Sequence, residues 1–281
     1  MLLCIDIGNT QIALGLYADT TSASVARPPL IRDWRMRTDP RMTADELDVA
    51  VRALLGQYAP QVSAIAALST VPSLLRELKL LVERRAEPSV VVGPGVRTGV
   101  PLLVDNPREV GADRVVSTLA AHRLYDTACV VVDFGTSTNI DVVSAKGEFL
   151  GGALAPGIEI SMEALATRAA ALRTVELVAP RSVIGKNTVE CLQAGVLYGF
   201  AGQVDGLVRR ILDELGTGPV TVIGTGGLAP LIVEESGTIT EHVPDLTLLG
   251  LRLAYLRNVR TTSVTMGNVN APGDVSGRAT R

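Results

Sequence analysis

The sequence predicts an α/β fold made of two half-domains that face one ligand, each a mixed or parallel sheet flanked by helices. Three observations carry that prediction. First, Leu2-Leu3-Cys4-Ile5-Asp6-Ile7-Gly8-Asn9-Thr10 returns past the middle as Val130-Val131-Val132-Asp133-Phe134-Gly135-Thr136-Ser137-Thr138. Each copy is an apolar run, then Asp, an apolar residue, Gly, and a cluster of amide or hydroxyl side chains. Each is followed by an alternating run, Ile12 to Tyr17 and Ile140 to Val143. Second, strand-like runs alternate with helix-like ones through both halves. Third, the apolar run 220–223 ends in Gly224-Thr225-Gly226-Gly227, a strand, a glycine turn and a helix start.

In the first half, the strand 2–5 turns back through Gly8 to Thr10 into a strand over 12–17. Residues 18–30 are rich in Ser, Thr, Ala and Pro and read as a loop. Thr43-Ala44-Asp45-Glu46 is a capping box that opens an amphipathic helix to about Tyr58. A short apolar run over 62–68 is expected as a buried strand, 73–85 as a helix and 90–92 as another strand. Asp105-Asn106-Pro107 ends this half, and 109–125 reads as a helix with Gly111-Ala112-Asp113-Arg114 in its first turn. The second half repeats the plan, with strands over 129–133 and 139–144 and a hairpin at Lys146-Gly147. Helices are expected over 160–170, 188–215 and 248–257. Residues 259–281 have no periodicity and are expected to be a disordered tail. The expected units are therefore 1–115, 116–258 and the tail.

Composition removes several function classes. A chain of 281 residues, 47% apolar and 20% charged, is globular and can bury a large core. A net charge of −3 creates no basic field, and 3% aromatics leave few stacking platforms, so nucleic acid is not an expected partner. No run approaches the ~18 apolar residues of a membrane span. The first strand lacks a basic leader and meets Asp6 almost at once, which argues against a signal peptide. Cys4, Cys129 and Cys191 are too scattered for a disulfide framework, and Cys4 and Cys129 read as core. His122 and His242 stand alone, so no histidine-based zinc site is expected. A cytoplasmic protein without membrane contact is expected.

The chemistry concentrates in the glycine turns. Gly8 permits a tight turn whose N–H groups, with Asn9 and Thr10, can cradle anionic oxygens, and Asp6 at the strand end can hold Mg²⁺ through water. One such turn is equally an ordinary hairpin. Its recurrence at Asp133 favours phosphate handling by a pair of turns. Gly226 and Gly227, as a third element, fit an adenosine site through close backbone approach. Asp133-Phe134-Gly135 does not signal a protein kinase, because the Gly-rich loop and His-Arg-Asp loop are missing, and no Walker sequence is present. Gly111-Ala112-Asp113-Arg114 is either a helix-start Asp beside a solvated Arg or a proton acceptor beside an anion clamp.

Five motifs occur in a specific order. They are Asp6-x-Gly-Asn-Thr, Asp105-Asn106-Pro107-x-Glu109-Val110-Gly111-Ala112-Asp113-Arg114, Asp133-Phe134-Gly135-Thr136, Gly185-Lys186-Asn187-Thr188 and Thr225-Gly226-Gly227-Leu228-Ala229. Over roughly residues 1–258 the chain resembles the type III pantothenate kinases, of the actin-like ATPase superfamily that includes acetate and sugar kinases. The resemblance implies two duplicated ribonuclease-H-like half-domains and ATP-dependent phosphorylation of the pantothenate terminal hydroxyl, the first step of coenzyme A synthesis. It implies that Asp6, Ile7, Gly8, Asn9, Thr10, Gln11, Ile12 and Ala13 form the first phosphate loop and that Thr136 touches ATP. Asp113 becomes the general base, with Gly111, Ala112, Asp113 and Arg114 lining the pantothenate site and Thr188 reaching it from the second half. Asp133 becomes the ligand of a monovalent cation, K⁺ or NH₄⁺, and the protein a homodimer.

Three places in the chain depart from the family's usual pattern. Val104, near the pantothenate pocket, stands where many members carry Tyr. Asn139 ends a Gly-Thr-Ser-Thr-Asn run usually written Gly-Thr-Ala-Thr-Thr, and Ser117 replaces Asn. Loss of the phenol at Val104 is worth about 1 kcal/mol of substrate affinity if its hydrogen bond is not replaced. The competing reading is a weak or inactive nucleotide-binding regulator on the same fold, which loss of Asp6 or Asp113 would have favoured. Chaperone- and filament-type ATPases need more chain than 281 residues provide.

Overall fold

The structure, a computed structural model, describes residues 1–18, 27–168, 175–216 and 218–266. The first sheet starts as a meander of β1 (Leu2–Ile7), β2 (Gln11–Tyr17) and β3 (Leu30–Arg37). β1 then pairs in parallel with β4 (Ala64–Ser69), and β4 with β5 (Ser89–Val91). The order is β3-β2-β1-β4-β5. The second sheet repeats it: β6 (Ala128–Phe134), β7 (Ser137–Val143) and β8 (Phe149–Pro156) form the meander. β9 (Val220–Thr225) runs parallel to β6, with β10 (Glu241–His242) beyond it. Read from the β8 edge, the second order β8-β7-β6-β9-β10 matches the first strand for strand.

Each sheet carries helices on its outer face. α1 (Ala44–Leu55) is opened by the expected capping box, in which Thr43 Oγ1 accepts from the Glu46 N–H at 3.3 Å and Glu46 Oε2 accepts from the Thr43 N–H at 2.9 Å. Such a cap supplies about 1 kcal/mol. α1 ends at Gly56 and a 3-10 segment containing Pro60 follows, so the helix stops short of Tyr58. With α2 (Pro72–Glu83), it buries Leu47, Val51, Leu74 and Leu78 against Ile5, Ile7 and Ile12. On the second sheet, α5 (Thr188–Leu215) and α6 (Ala229–Val233) bury Leu197, Val204 and Ile232 against Val130 and Val132. α4 (Ile158–Arg168) follows β8.

Two helices fill the space between the sheets. α3 (Ala112–Tyr125) packs on β6 and β7, and α7 (Leu246–Met266) packs on α3 and back across β1 and β4. One core therefore joins Cys4 and Ala66 of the first sheet with Cys129 and Val131 of the second through Leu249, Leu253, Val116 and Ala120. Both cysteines are packing residues, as expected. The boundary expected between 115 and 116 falls inside α3, and α7, late in the sequence, covers the first sheet. α7 also continues to Met266, past the end near Arg257 that the sequence suggested. Residues 267–281 of the expected tail, residues 19–26 of the expected loop, and the end of the 160–170 helix lie outside the described residues. Among the described residues no helix is long and apolar enough to cross a membrane.

Candidate active site

The two Asp-x-Gly turns open on a single cleft of about 240 Å³ between the sheets. Asp6 and Asp133 are the penultimate residues of β1 and β6, so the parallel strands β4 and β9 beside them leave both carboxylates at the strand ends. In the first turn the Gly8 N–H bonds the Gln11 carbonyl at 3.0 Å, and Thr38 Oγ1 donates to the Gly8 carbonyl at 2.7 Å. In the second, the Gly135 N–H bonds the Ser137 carbonyl at 3.1 Å, and Ser137 Oγ donates to Asn139 Oδ1 at 2.8 Å. The turns touch: the hydroxyls of Thr10 and Thr136 are 2.8 Å apart.

The third glycine turn seats on the second. Gly226 has φ +95°, and a Cβ there would collide with Asp133 and the Phe134 backbone. Only glycine lets this turn lie against the end of β6. Gly226 and Gly227 both line the cleft.

Asp113 enters from the first turn of α3. Its carboxylate curls back over Gly111, where a methyl group would overlap it. Burial raises its pKa, opposed by the Arg114 backbone N–H and guanidinium charge. Burial, with Asp113 and Asp133 nearby, pushes the Asp6 carboxyl up to about 7, and Arg35 pulls it back. Burial, with Asp113 and Asp141 nearby, pushes Asp133 to about 7 as well. Three carboxylates that repel one another in a confined site form a sink for positive charge. Among the described residues, no group of three or more His, Cys, Asp or Glu is arranged to hold one metal ion. That donor set suits a cation bound by one or two carboxylates together with phosphate oxygens and water.

Not every expected residue reaches the cleft. Asp6, Gly8, Asn9, Thr10 and Gln11 line it, as does Thr136. Ile7 and Ile12 are fully buried in the α1–α2 core, because their side chains leave the opposite face of the sheet from Asp6. Ala13 packs toward α7. The Arg114 guanidinium is held by Asp141, with Nε donating to Oδ1 at 2.8 Å, and lies 5.2 Å from the centre of the Phe149 ring. Thr188 is exposed in the first turn of α5, capped by Asn187. Val104 sits beside Gly151 on a segment tied to β8 by the Leu103 N–H bond to the Phe149 carbonyl at 2.9 Å. Neither Val104 nor Thr188 lines the cleft.

The cleft also holds residues the sequence reading did not single out, including Arg35, Thr70, Glu159 and Thr247. The alternation of Trp34 and Met36 with arginines was the available signal for β3, and through it for Arg35. Thr70 and Thr247 follow from packing alone: Thr70 donates to the Ile7 carbonyl through its N–H at 2.9 Å, and Thr247 meets Ser117 at 3.1 Å.

A duplicated five-stranded sheet, with paired Asp-x-Gly turns over one acidic cleft, is the arrangement of the actin-like ATPase and sugar-kinase fold. Solved structures agree on the fold. One is the activator of 2-hydroxyisocaproyl-CoA dehydratase from Clostridium difficile with bound ADPNP (TM-score 0.56, 12% identity, 96% of this chain and 99% of that one). Another is the inorganic polyphosphate/ATP-glucomannokinase from Arthrobacter sp. strain KM (TM-score 0.51, 15% identity, 92% and 98%). The family model described as type III pantothenate kinase matches residues 2–210. The type III pantothenate kinase of Saccharopolyspora erythraea is 74% identical over 92% of this chain and 99% of its own. That of Rhodococcus opacus is 62% identical over 92% and 96%. The chain belongs to the type III pantothenate kinase family.

Proposed function

We propose that the protein transfers the γ-phosphoryl group of ATP to the terminal hydroxyl of pantothenate, in coenzyme A biosynthesis. Family membership supports this, and one structural observation carries the chemistry: Asp113 opens on the same cleft as both phosphate-type turns. In the transfer the bond from the γ-phosphorus to the β–γ bridging oxygen breaks and a bond to the substrate oxygen forms. The hydroxyl proton passes to Asp113, and ADP leaves with the electron pair of the broken bond. A carboxylate raised above its ordinary range by burial is a stronger base for that proton than a solvated one.

The N–H groups and side chains of Gly8 to Gln11 and of Thr136 hold the phosphates, with Gly226 and Gly227 against the adenosine. Asp6 takes a divalent cation through water, and Asp133 takes K⁺ or NH₄⁺. Such cations neutralise phosphate charge, which is the main electrostatic need of phosphoryl transfer. The substrate lies over Gly111 to Arg114, with Val104 and Thr188 at its margin. Closure of the two sheets over the cleft excludes water from the transfer. The working form is a cytoplasmic homodimer. In support, Leu154 on the edge strand β8 is 67% exposed, an apolar side chain at a strand edge that a second copy could cover.

An ATP-dependent assay with pantothenate beside other small hydroxy acids tests this reading. Strict dependence on pantothenate supports it, and equal turnover of the other acids contradicts it. Asp113→Asn should lower kcat by ~10²-fold or more with little change in protein stability. Near-normal turnover would remove Asp113 from the role of base.

A further inference from the structure

The cleft has an unusual charge balance for a site that takes a triphosphate. Four acids face it, Asp6, Asp113, Asp133 and Glu159, and among the described residues a single cationic side chain does, Arg35. Neither Asp-x-Gly turn carries a lysine or arginine: residues 6–13 and 133–139 contain none. Arg114, the other cation near Asp113, is committed to Asp141, whose side chain is only 4% exposed. Among the described residues, a polyanionic ligand in this cleft therefore meets one positively charged side chain, Arg35, with Arg37 further out in the adjoining groove.

The register fixes where that charge stands. Asp6 on β1 pairs with Ala13 on β2, and Ala13 pairs with Arg35 on β3. Residues paired across adjacent strands share a face, so the three stand in a row on the cleft side of the sheet. Only the methyl group of Ala13 separates Arg35 from the carboxylate. Arg35 is exposed, and among the described residues its side chain makes no hydrogen bond and no ion pair. Its charge nonetheless reaches both Asp6 and Asp133. It also lines the wider groove that continues the cleft past Asn9, Thr10 and Gln11, so it stands at the mouth of the phosphate turns.

Taking the cleft as the site of transfer, we infer that Arg35 is a catalytic residue that contacts the phosphoryl group in transit from ATP. A planar guanidinium can donate two parallel hydrogen bonds to phosphoryl oxygens, which a lysine cannot reproduce. Among the described residues it has no ion pair to break before it meets the ligand. Negative charge redistributes toward the ADP oxygens as the bond to the γ-phosphorus breaks, and a fixed cation beside it lowers that barrier.

The test is steady-state kinetics on wild type, Arg35→Ala, Arg35→Lys and Asp113→Asn, with Arg32→Ala as the strand control. Arg32 is on the other face of β3, 5.7 Å from the centre of the Trp34 ring. Arg35→Ala should lose ~10²-fold in kcat with the KM for pantothenate little changed, and Arg35→Lys should recover part of the loss. Added guanidinium ion should raise turnover of Arg35→Ala and leave Asp113→Asn as it was, a rescue that a structural role for Arg35 would not show. Turnover of Arg35→Ala within about twofold of wild type would overturn the inference. So would an effect confined to the KM for pantothenate, or an equal loss in Arg32→Ala. Asp113→Asn separates the two claims. Wild-type turnover there removes Asp113 as the base of the proposed transfer, while a normal Arg35→Ala beside an impaired Asp113→Asn removes only Arg35.

Discussion

The two Asp-x-Gly turns begin from nearly the same sequence and end in different surroundings. The first is held from below by the threonines that follow β3 and β4: Thr38 and Thr70 donate to the carbonyls of Gly8 and Ile7. Its tip, Asn9 to Gln11, is exposed to the cleft. The second is one residue shorter between its paired strand ends, Phe134 and Thr138 against Ile7 and Ile12. It is wedged by backbone on both sides, with the Gly157 N–H bonding the Thr136 carbonyl at 3.2 Å and the Leu228 N–H bonding the Phe134 carbonyl at 3.4 Å. A second carboxylate, Asp141, follows it on β7 and is already paired with Arg114. The first turn is thus a donor-rich surface and the second a packed socket. A repeated motif reports a repeated backbone, and the neighbours then divide the labour.

The largest break in this comparison is expected from the two aspartates themselves. Asp6→Asn should lower kcat by roughly 10²- to 10³-fold through loss of divalent cation at the phosphates, whereas Asp133→Asn should cost roughly 10-fold. Equal losses in the same kinetic assay would make the turns equivalent.

The glycines sharpen the difference between surface and socket. Gly226→Ala forces an L residue into φ +95° and against the Phe134 backbone, so a loss of about 2 kcal/mol is expected in chemical denaturation, with a raised KM for ATP. Gly8→Ala meets one carbonyl at 3.1 Å and should cost about half as much or less.

The smallest effect is in pH. Asp6 and Asp133 titrate near 7 when folded, against 3.8 ordinarily, so the ligand-free folded protein binds more protons than the unfolded chain between those values. Stability is favoured at the acid end of that window and falls as pH rises through about 7. The melting temperature of ligand-free protein should be lower at pH 8 than at pH 6, apart from effects of other groups. Asp6→Asn should flatten the dependence and melt a few degrees higher than wild type at pH 8. A wild-type profile in that variant would show that burial and the neighbouring acids do not raise the Asp6 carboxyl.

Local signals were legible in the sequence. The capping box at Thr43 and Glu46 and the limits of α5 follow from residues a few positions apart. Asp113 in the first turn of a helix followed the same way, and the repeat of Asp6 at Asp133 announced the duplicated sheet. What stayed hidden depends on partners distant in the chain. α7 covers the first sheet because Leu249 and Leu253 complete a core shared with Cys4 and Ala66, which no local pattern encodes. β3 carries arginines between its apolar residues, and the two-residue β10 is too short for any periodicity. The alternation on β3 marks a strand, but the place of Arg35 beside Asp6 depends on its pairing with Ala13. Ile7 and Ile12 illustrate the converse: they belong to the phosphate motif in sequence, yet their side chains are core.

The inequality of the two turns is tested most directly by titrating K⁺ or NH₄⁺ into wild type and Asp133→Asn while following pantothenate phosphorylation. Wild type should be activated over a saturable range, and Asp133→Asn should keep a low, flat rate at every cation concentration. An Asp133→Asn protein that is activated like wild type would contradict the division of labour between the turns.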